Sequence, residues 1–118
     1  MNKREIGKQK EDLAVEYLKR KGYKIIKQNF HTKSGEIDII AKDKNTLVFI
    51  EVRSKSYKDF GTPEETIDKQ KQRKIIKTAK IFLKNHNLDY DEIRFDVISI
   101  LKENINHIEN AFYIEWWI

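Results

Sequence analysis

The chain contains no cysteine among its 118 residues. That excludes a disulfide scaffold, a thiolate nucleophile and a thiolate metal site. It suits a reducing compartment, so a cytoplasmic protein is expected. One proline and four glycines leave little material for linkers, and no repeat or low-complexity tract interrupts the sequence. No apolar run approaches the ~20 residues that cross a bilayer, so no membrane partner is expected. The opening residues, MNKREIGKQKEDLA, are basic but lack the apolar segment of a signal peptide. What remains suits one domain over residues 1–118, with enough chain for a single core.

Charge, by contrast, is abundant. Charged residues make up 36% of the chain and apolar ones 39%, with a net charge of +5. The charge is uneven: residues 1–85 hold 22 Lys/Arg against 12 Asp/Glu, and residues 86–118 hold 2 against 7. A basic body suggests a polyanionic partner, nucleic acid above all. A lysine-rich solvated surface is the competing reading.

Apolar positions Leu13, Ala14, Tyr17 and Leu18 recur at helical spacing, predicting a helix from about Ile6 to Lys21 that Gly22 ends. Tyr23 to Phe30 reads as a first strand, and Gly35 to Lys55 as two more around a polar turn. Thr62-Pro63-Glu64-Glu65 resembles a helix start, with Thr as cap and Pro at the first helical position. That second helix is expected to run to about Lys84, burying Ile67, Ile75, Ala79, Phe82 and Leu83. Ile93 to Leu101 is a fourth strand, and the tail from His107 adds a last short strand or helix. The order αβββαβ predicts an α/β fold, a small mixed β-sheet flanked by helices.

The segment GEIDIIAKDKNTLVFIEVRSK, residues 35–55, carries the chemistry. Side chains alternate along a strand, so Leu47, Phe49, Glu51 and Arg53 share one face, and Ile37 and Ile39 share another. A turn centred on Lys44-Asn45 sets Asp38 directly opposite Glu51, Glu36 opposite Arg53, Ile37 opposite Val52 and Ile39 opposite Ile50. Opposed carboxylates on neighbouring strands repel, by ~3 kcal/mol at roughly 5 Å. Either one acid takes a proton or a cation sits between them. Mg²⁺ is the natural cation for oxygen ligands of this kind. The competing reading leaves both acids in water, although Ile40, Leu47 and Phe49 on the same face argue for partial cover. Two carboxylates on a metal beside a fixed positive charge suit phosphodiester hydrolysis.

Asp, thirteen residues, then Glu-x-Arg resembles the PD-(D/E)xK nuclease core. More closely, the chain resembles the YraN-type family of small uncharacterised proteins, related to archaeal Holliday-junction resolvases. The matching pieces are Gly7 with Glu11-x-x-Ala14-x-x-Tyr17-Leu18, Gly35-Glu36-Ile37-Asp38, Val48-Phe49-Ile50-Glu51-Val52, Gly61-x-Pro63, Lys71-Gln72-Arg73, Arg94-Phe95-Asp96-Val97 and His107-Ile108-x-x-Ala111-Phe112. The resemblance implies a restriction-endonuclease-like fold and a Mg²⁺- or Mn²⁺-dependent endonuclease acting on branched or otherwise structured DNA. It implies metal ligation by Asp38, Glu51 and Glu11, with Arg53 at the fourth catalytic position. Glu11 points within about 20° of Leu18 on the helix, the inward side, whereas Asp12 and Glu16 point outward; a helix-start acid favoured by the dipole is the other reading. Where the family pattern has Lys, this chain has Arg53, which keeps a charge but cannot relay a proton, so weakened activity is expected. Lys55, on the same face, is a partial substitute.

Along the second helix Lys69, Lys71, Arg73 and Lys74 follow one another with no acid between them, and they are read as phosphate contacts. Lys71 shares a stripe with Ile67 and Ile75 and lies nearest the site. Asp96 and Arg94 are expected to form a structural pair. His31, His86 and His107 lack metal-site spacing, and Trp116-Trp117 is expected to close the core or a contact between copies. A non-catalytic nucleic-acid-binding protein that keeps the nuclease fold is the alternative function. Resolvase-like nucleases that cut two strands usually act as dimers, so a homodimer is an open expectation.

Overall fold

A computed structural model describes residues 2–55 and 67–114. The elements run α1 (Lys3–Arg20), β1 (Lys24–Thr32), β2 (Gly35–Asp43), β3 (Thr46–Ser54), α2 (Lys69–Asn85), β4 (Glu92–Leu101) and β5 (Asn104–Phe112). The α/β order is the expected one, and the tail forms a full fifth strand.

Local chemistry sets the helix ends. Helix α1 begins earlier than Ile6 because Asn2 caps it. The Asn2 side-chain oxygen accepts from the Glu5 N–H at 2.9 Å, and its carbonyl accepts from the Ile6 N–H at 3.1 Å, satisfying two of the first turn's orphan donors. At the other end Gly22 is left-handed (φ 92). Its N–H reaches the Lys19 carbonyl and the Tyr23 N–H reaches that of Leu18, both at 3.0 Å, the paired closure that glycine permits. Helix α2 starts at Lys69 rather than near Thr62. Asp68 is extended (φ −63, ψ 158) and accepts from the Lys71 N–H at 2.8 Å, so no helix runs through it from upstream. Thr62–Glu65, Gly61 and Trp116-Trp117 lie outside the described residues.

The five strands form one mixed sheet in sequential order, β1-β2-β3-β4-β5. Strand β3 runs parallel to β4 and the remaining neighbours are antiparallel. A parallel pair needs a crossover, which α2 provides. Because helices cover both faces, the central strands are apolar on both sides. On the α2 face Ile40, Leu47, Phe49, Phe95 and Val97 pack against Ile75, Ile76, Ala79 and Phe82. On the α1 face Ile39, Ala41, Val48, Ile50, Ile98 and Ile100 pack against Ala14, Val15 and Leu18.

The β2–β3 ladder runs from Asp43↔Thr46 to Ile39↔Ile50, the register expected from a turn at Lys44-Asn45. It stops there. The expected Asp38–Glu51, Ile37–Val52 and Glu36–Arg53 pairs are not part of it, because the Val52 N–H donates to the Asp38 carboxylate, at 2.8 Å. Face sharing changes at the same point: Ile37 joins the α2-side core and Ile39 the α1-side core, so the two do not share a face as strict alternation predicts.

Gly35, at the start of β2, has φ 153, and a methyl group there would lie 3.3 Å from the Thr78 hydroxyl and 3.4 Å from the Lys74 Cβ. Both the conformation and the close approach of β2 to α2 call for glycine. Gly35→Ala is expected to destabilise the fold by about 1–2 kcal/mol, read as a lowered midpoint in urea unfolding.

Candidate active site

Where β2 leaves β3, the sheet end and the first turns of α2 enclose a cavity of about 390 Å³. Its walls include Glu36, Asp38, Glu51, Asp68, Lys71 and Lys74. Three elements place these groups. Asp38 projects from β2 where its ladder ends, Glu51 from β3 beyond Phe49 on the same face, and Lys71 from the first turn of α2. Lys71 follows the stripe of Ile67 and Ile75, both buried, and so leans onto the sheet.

The electrostatics are those of a crowded acidic pair. Burial is the main cause pushing the Asp38 carboxyl up to about 7, and the Glu51 charge is next; the Val52 N–H opposes them, and the charges of Glu11 and Glu36 add to the rise. The Lys71 ammonium lies 2.8 Å from a Glu51 carboxylate oxygen. Burial works against the Lys71 charge, but that hydrogen bond and the charges of Glu51 and Asp38 outweigh it and hold the lysine above its ordinary value.

The residues singled out in the sequence are not all gathered in this cavity. Asp38, Glu51, Lys71 and Lys74 line it. Glu11 lines an adjoining cavity between α1 and β1, yet its charge reaches Asp38. Burial raises the Glu11 carboxyl, opposed by a hydrogen bond from Asn29 and helped by the charges of Glu36 and Asp12. Arg53 is half-buried on β3, and its charge is felt at Lys71. Lys55 continues the parallel pairing through its N–H, which meets the Ile100 carbonyl at 2.8 Å. Lys69 and Arg73 are exposed on α2.

Other groups at the site are not evident from the hairpin pattern. Asp68 both caps α2 and lines the cavity; an aspartate directly before the basic run is the signal that marks it. Asn29 holds Glu11 and has a left-handed backbone (φ 52), a conformation asparagine tolerates better than most residues.

A second polar cluster lies on the α1 face. Asp96 is fully buried; its carboxylate accepts from Arg94 Nε at 2.9 Å and from the Asn110 N–H at 3.2 Å, and lies 2.7 Å from His107 Nε2. The other His107 nitrogen meets the Tyr17 hydroxyl at 3.0 Å. Arg94 also donates to the Tyr23 hydroxyl at 2.6 Å. Burial raises Asp96, but the His107 and Arg94 contacts outweigh it and hold the carboxyl below its ordinary value. Asp96, His107 and Glu109 offer ligand atoms within 4.8 Å of one another, a grouping that histidine spacing in the sequence does not reveal. The Arg94 guanidinium reaches both carboxylates, 3.0 Å from Asp96 and 3.5 Å from Glu109. The expected Asp–Arg pair is therefore present, as the centre of a structural network.

The fold and cavity define a small α/β protein with a five-stranded mixed sheet, two helices and an acidic pair at the end of the central strands. The chain belongs to the uncharacterised protein family UPF0102, whose model matches residues 10–100. It is 52% identical over 110 residues to a UPF0102 protein of Persephonella marina, covering 93% of this chain and 95% of that one. A UPF0102 protein of Sulfurihydrogenibium is 46% identical, with 98% and 100% covered, and one of Thermodesulfovibrio yellowstonii is 49% identical, with 92% and 96% covered. No described helix is long and apolar enough to cross a membrane.

Proposed function

We propose that this protein is a metal-dependent endonuclease that hydrolyses phosphodiester bonds in nucleic acid. The observation that carries the reading is the shared cavity of Asp38 and Glu51, where burial and mutual repulsion push Asp38 up to about 7. Lys71 offsets the charge of Glu51, but no cation is among the groups that set the Asp38 pKa, and the donor set fits a hard divalent cation. Each carboxylate offers about four lone-pair sites, so the Val52 N–H on Asp38 and the Lys71 ammonium on Glu51 leave capacity for Mg²⁺ or Mn²⁺. The bound ion would polarise the phosphoryl oxygens and lower the pKa of a coordinated water.

The chain's own groups supply the rest. Asp38 and Glu51 hold the cation, and Glu11 adds negative charge from the neighbouring helix. Arg53 contributes permanent positive charge beside the cavity but holds its proton at every working pH. Lys71 adds an ammonium charge at the carboxylate pair, and its contact with Glu51 favours its protonated form. Lys74 at the cavity wall, with Lys69 and Arg73 along α2, provides cations for flanking phosphates. DNA with a branch or other departure from a simple duplex is the substrate that the family resemblance favours.

The test is a cleavage screen over linear, flapped and four-way-junction DNA with Mg²⁺ or Mn²⁺. Asp38→Ala and Glu51→Ala are each expected to bring cleavage to background, and Arg53→Lys to increase it. Cleavage that survives both alanine substitutions sinks the assignment. Salt-dependent binding without cleavage, in the parent and in the Arg53→Lys variant alike, moves the protein to the class of non-catalytic nucleic-acid binders.

A further inference from the structure

Gly7 lies inside α1, and a methyl group added there would meet nothing within 4 Å. Glycine is the poorest helix former after proline, and no neighbour or backbone conformation at this position requires it. Gly7 forms part of the wall of a cavity of about 350 Å³ between α1 and β1, with Arg4, Lys8, Glu11, Asp12, Gln28 and Asn29. A bare backbone wall lets a ligand approach closely, one of the recurrent uses of glycine.

The cavity adjoins the carboxylate pair. Gln28 pairs with Ile39 and Phe30 with Ile37, so Asn29 sits beside Asp38 across the β1–β2 ladder. Glu11 lines the cavity and its charge is felt at Asp38. Glu11 and Asn29 thus link this cavity to Asp38, and a strand of nucleic acid with one phosphate at Asp38 and Glu51 would have this opening beside it.

The lining suits such a nucleotide better than a simple anion. Two cations, two carboxylates and two amides offer donors and acceptors together. Arg4 and Lys8 match a phosphate, while the amides and carboxylates match the polar edge of a base. The volume is near the lower end of the roughly 300–1,000 Å³ of small-ligand sites, enough for one nucleotide and too small for a paired stack.

We infer that this cavity receives one unpaired nucleotide of the substrate strand, next to the phosphate held by Asp38 and Glu51. This rests on the endonuclease reading and narrows it. The substrate class is nucleic acid with an unpaired nucleotide beside the cleavage point, as in a flap or a bulge.

Fluorescence anisotropy tests this on the full chain carrying Asp38→Asn to prevent turnover, with Mg²⁺ present. The probes are a duplex and the same duplex with a single-stranded flap, the flap made once of DNA and once of RNA. At least one flapped probe is expected to bind about tenfold more tightly than the duplex. Adding Gly7→Leu, which fills the cavity, is expected to remove that preference, leave duplex affinity within about twofold, and raise the melting temperature because leucine is the better helix former. Equal binding of flap and duplex by the parent, or a preference that survives Gly7→Leu, overturns the nucleotide subsite and leaves the endonuclease reading standing. No binding of any probe overturns both. Should Gly7→Leu lower the melting temperature, the double variant Arg4→Ser/Lys8→Ser decides: an undiminished flap preference rejects the subsite, and its loss with duplex binding retained supports it.

Discussion

Asp38→Asn is expected to stabilise the metal-free protein at pH 8 by roughly 4 kcal/mol, seen as a rise of roughly 15 °C in melting temperature. The charged carboxylate is buried against Glu51, and its folded-state pKa stands at about 7 against an ordinary value of 3.8. A group whose pKa is raised by folding stabilises fully below its unfolded value, and that contribution fades as pH climbs through the folded one. Asparagine keeps an oxygen to accept the Val52 N–H and has no charge to desolvate. The two proteins should therefore melt close together near pH 4 and diverge toward pH 8. Adding Mg²⁺ or Mn²⁺ at pH 8 should narrow the gap, since a cation stabilises the ionised pair. Thermal melts in chelator between pH 4 and pH 8 measure this. A constant gap, or an Asp38→Asn protein that melts lower at pH 8, contradicts a strained acidic pair.

On the opposite face of the sheet the sign reverses. Asp96→Ala is expected to cost about 3 kcal/mol, because it leaves the Arg94 guanidinium, whose side chain is only 13% exposed, with just the longer 3.5 Å carboxylate contacts to Asp43 and Glu109, and removes the acceptor facing His107 and the Asn110 N–H. The network ties α1 through Tyr17, the start of β1 through Tyr23, and β5 through His107 to β4, so the loss should be global and cooperative. Folding lowers the Asp96 pKa; its stabilisation is present above the ordinary carboxylate value and is lost as pH falls through the depressed one. Asp96→Asn, which keeps the shape and drops the charge, should lie between the parent and alanine, with its deficit shrinking under acid. Urea unfolding at pH 7 and near pH 3 reads both effects. A cost below ~1 kcal/mol for Asp96→Ala would place this cluster with ordinary surface pairs.

These two carboxylates show how far the sequence is legible. Asp38 announces itself, because an acid inside an apolar alternating run is out of place and its turn is short enough to count from. The register expected to set it against Glu51 holds as far as Ile39↔Ile50 and ends before that pair. Asp96 is legible only as a partner of Arg94 two residues away on the same strand. His107 joins it through a bulge between β4 and β5, where the register shifts between Phe95 and Val97, and bulges leave no periodic trace. Lys71 falls on the inward stripe of α2, as its spacing predicts, but its 2.8 Å contact with Glu51 depends on how the helix crosses the sheet. The sequence points to an earlier start for α2 because Thr62-Pro63 has the stronger capping composition, whereas Asp68 is where the helix packed on the sheet begins.

Composition and periodicity by themselves determined the element order, the two-layered burial of the sheet, the absence of thiol chemistry and the acids and bases available for a site. Those properties are local: they depend on neighbours within a turn of helix or a few residues of strand. Only the tertiary structure decided that Glu11 lines an adjoining cavity instead of the one Asp38 shares with Glu51, that Ile37 and Ile39 face opposite cores, and that Lys71 touches Glu51. Each of these follows from the crossing of α2 over the parallel β3–β4 pair and from the end of the β2–β3 ladder at Asp38, where a side chain takes the hydrogen bond of a backbone.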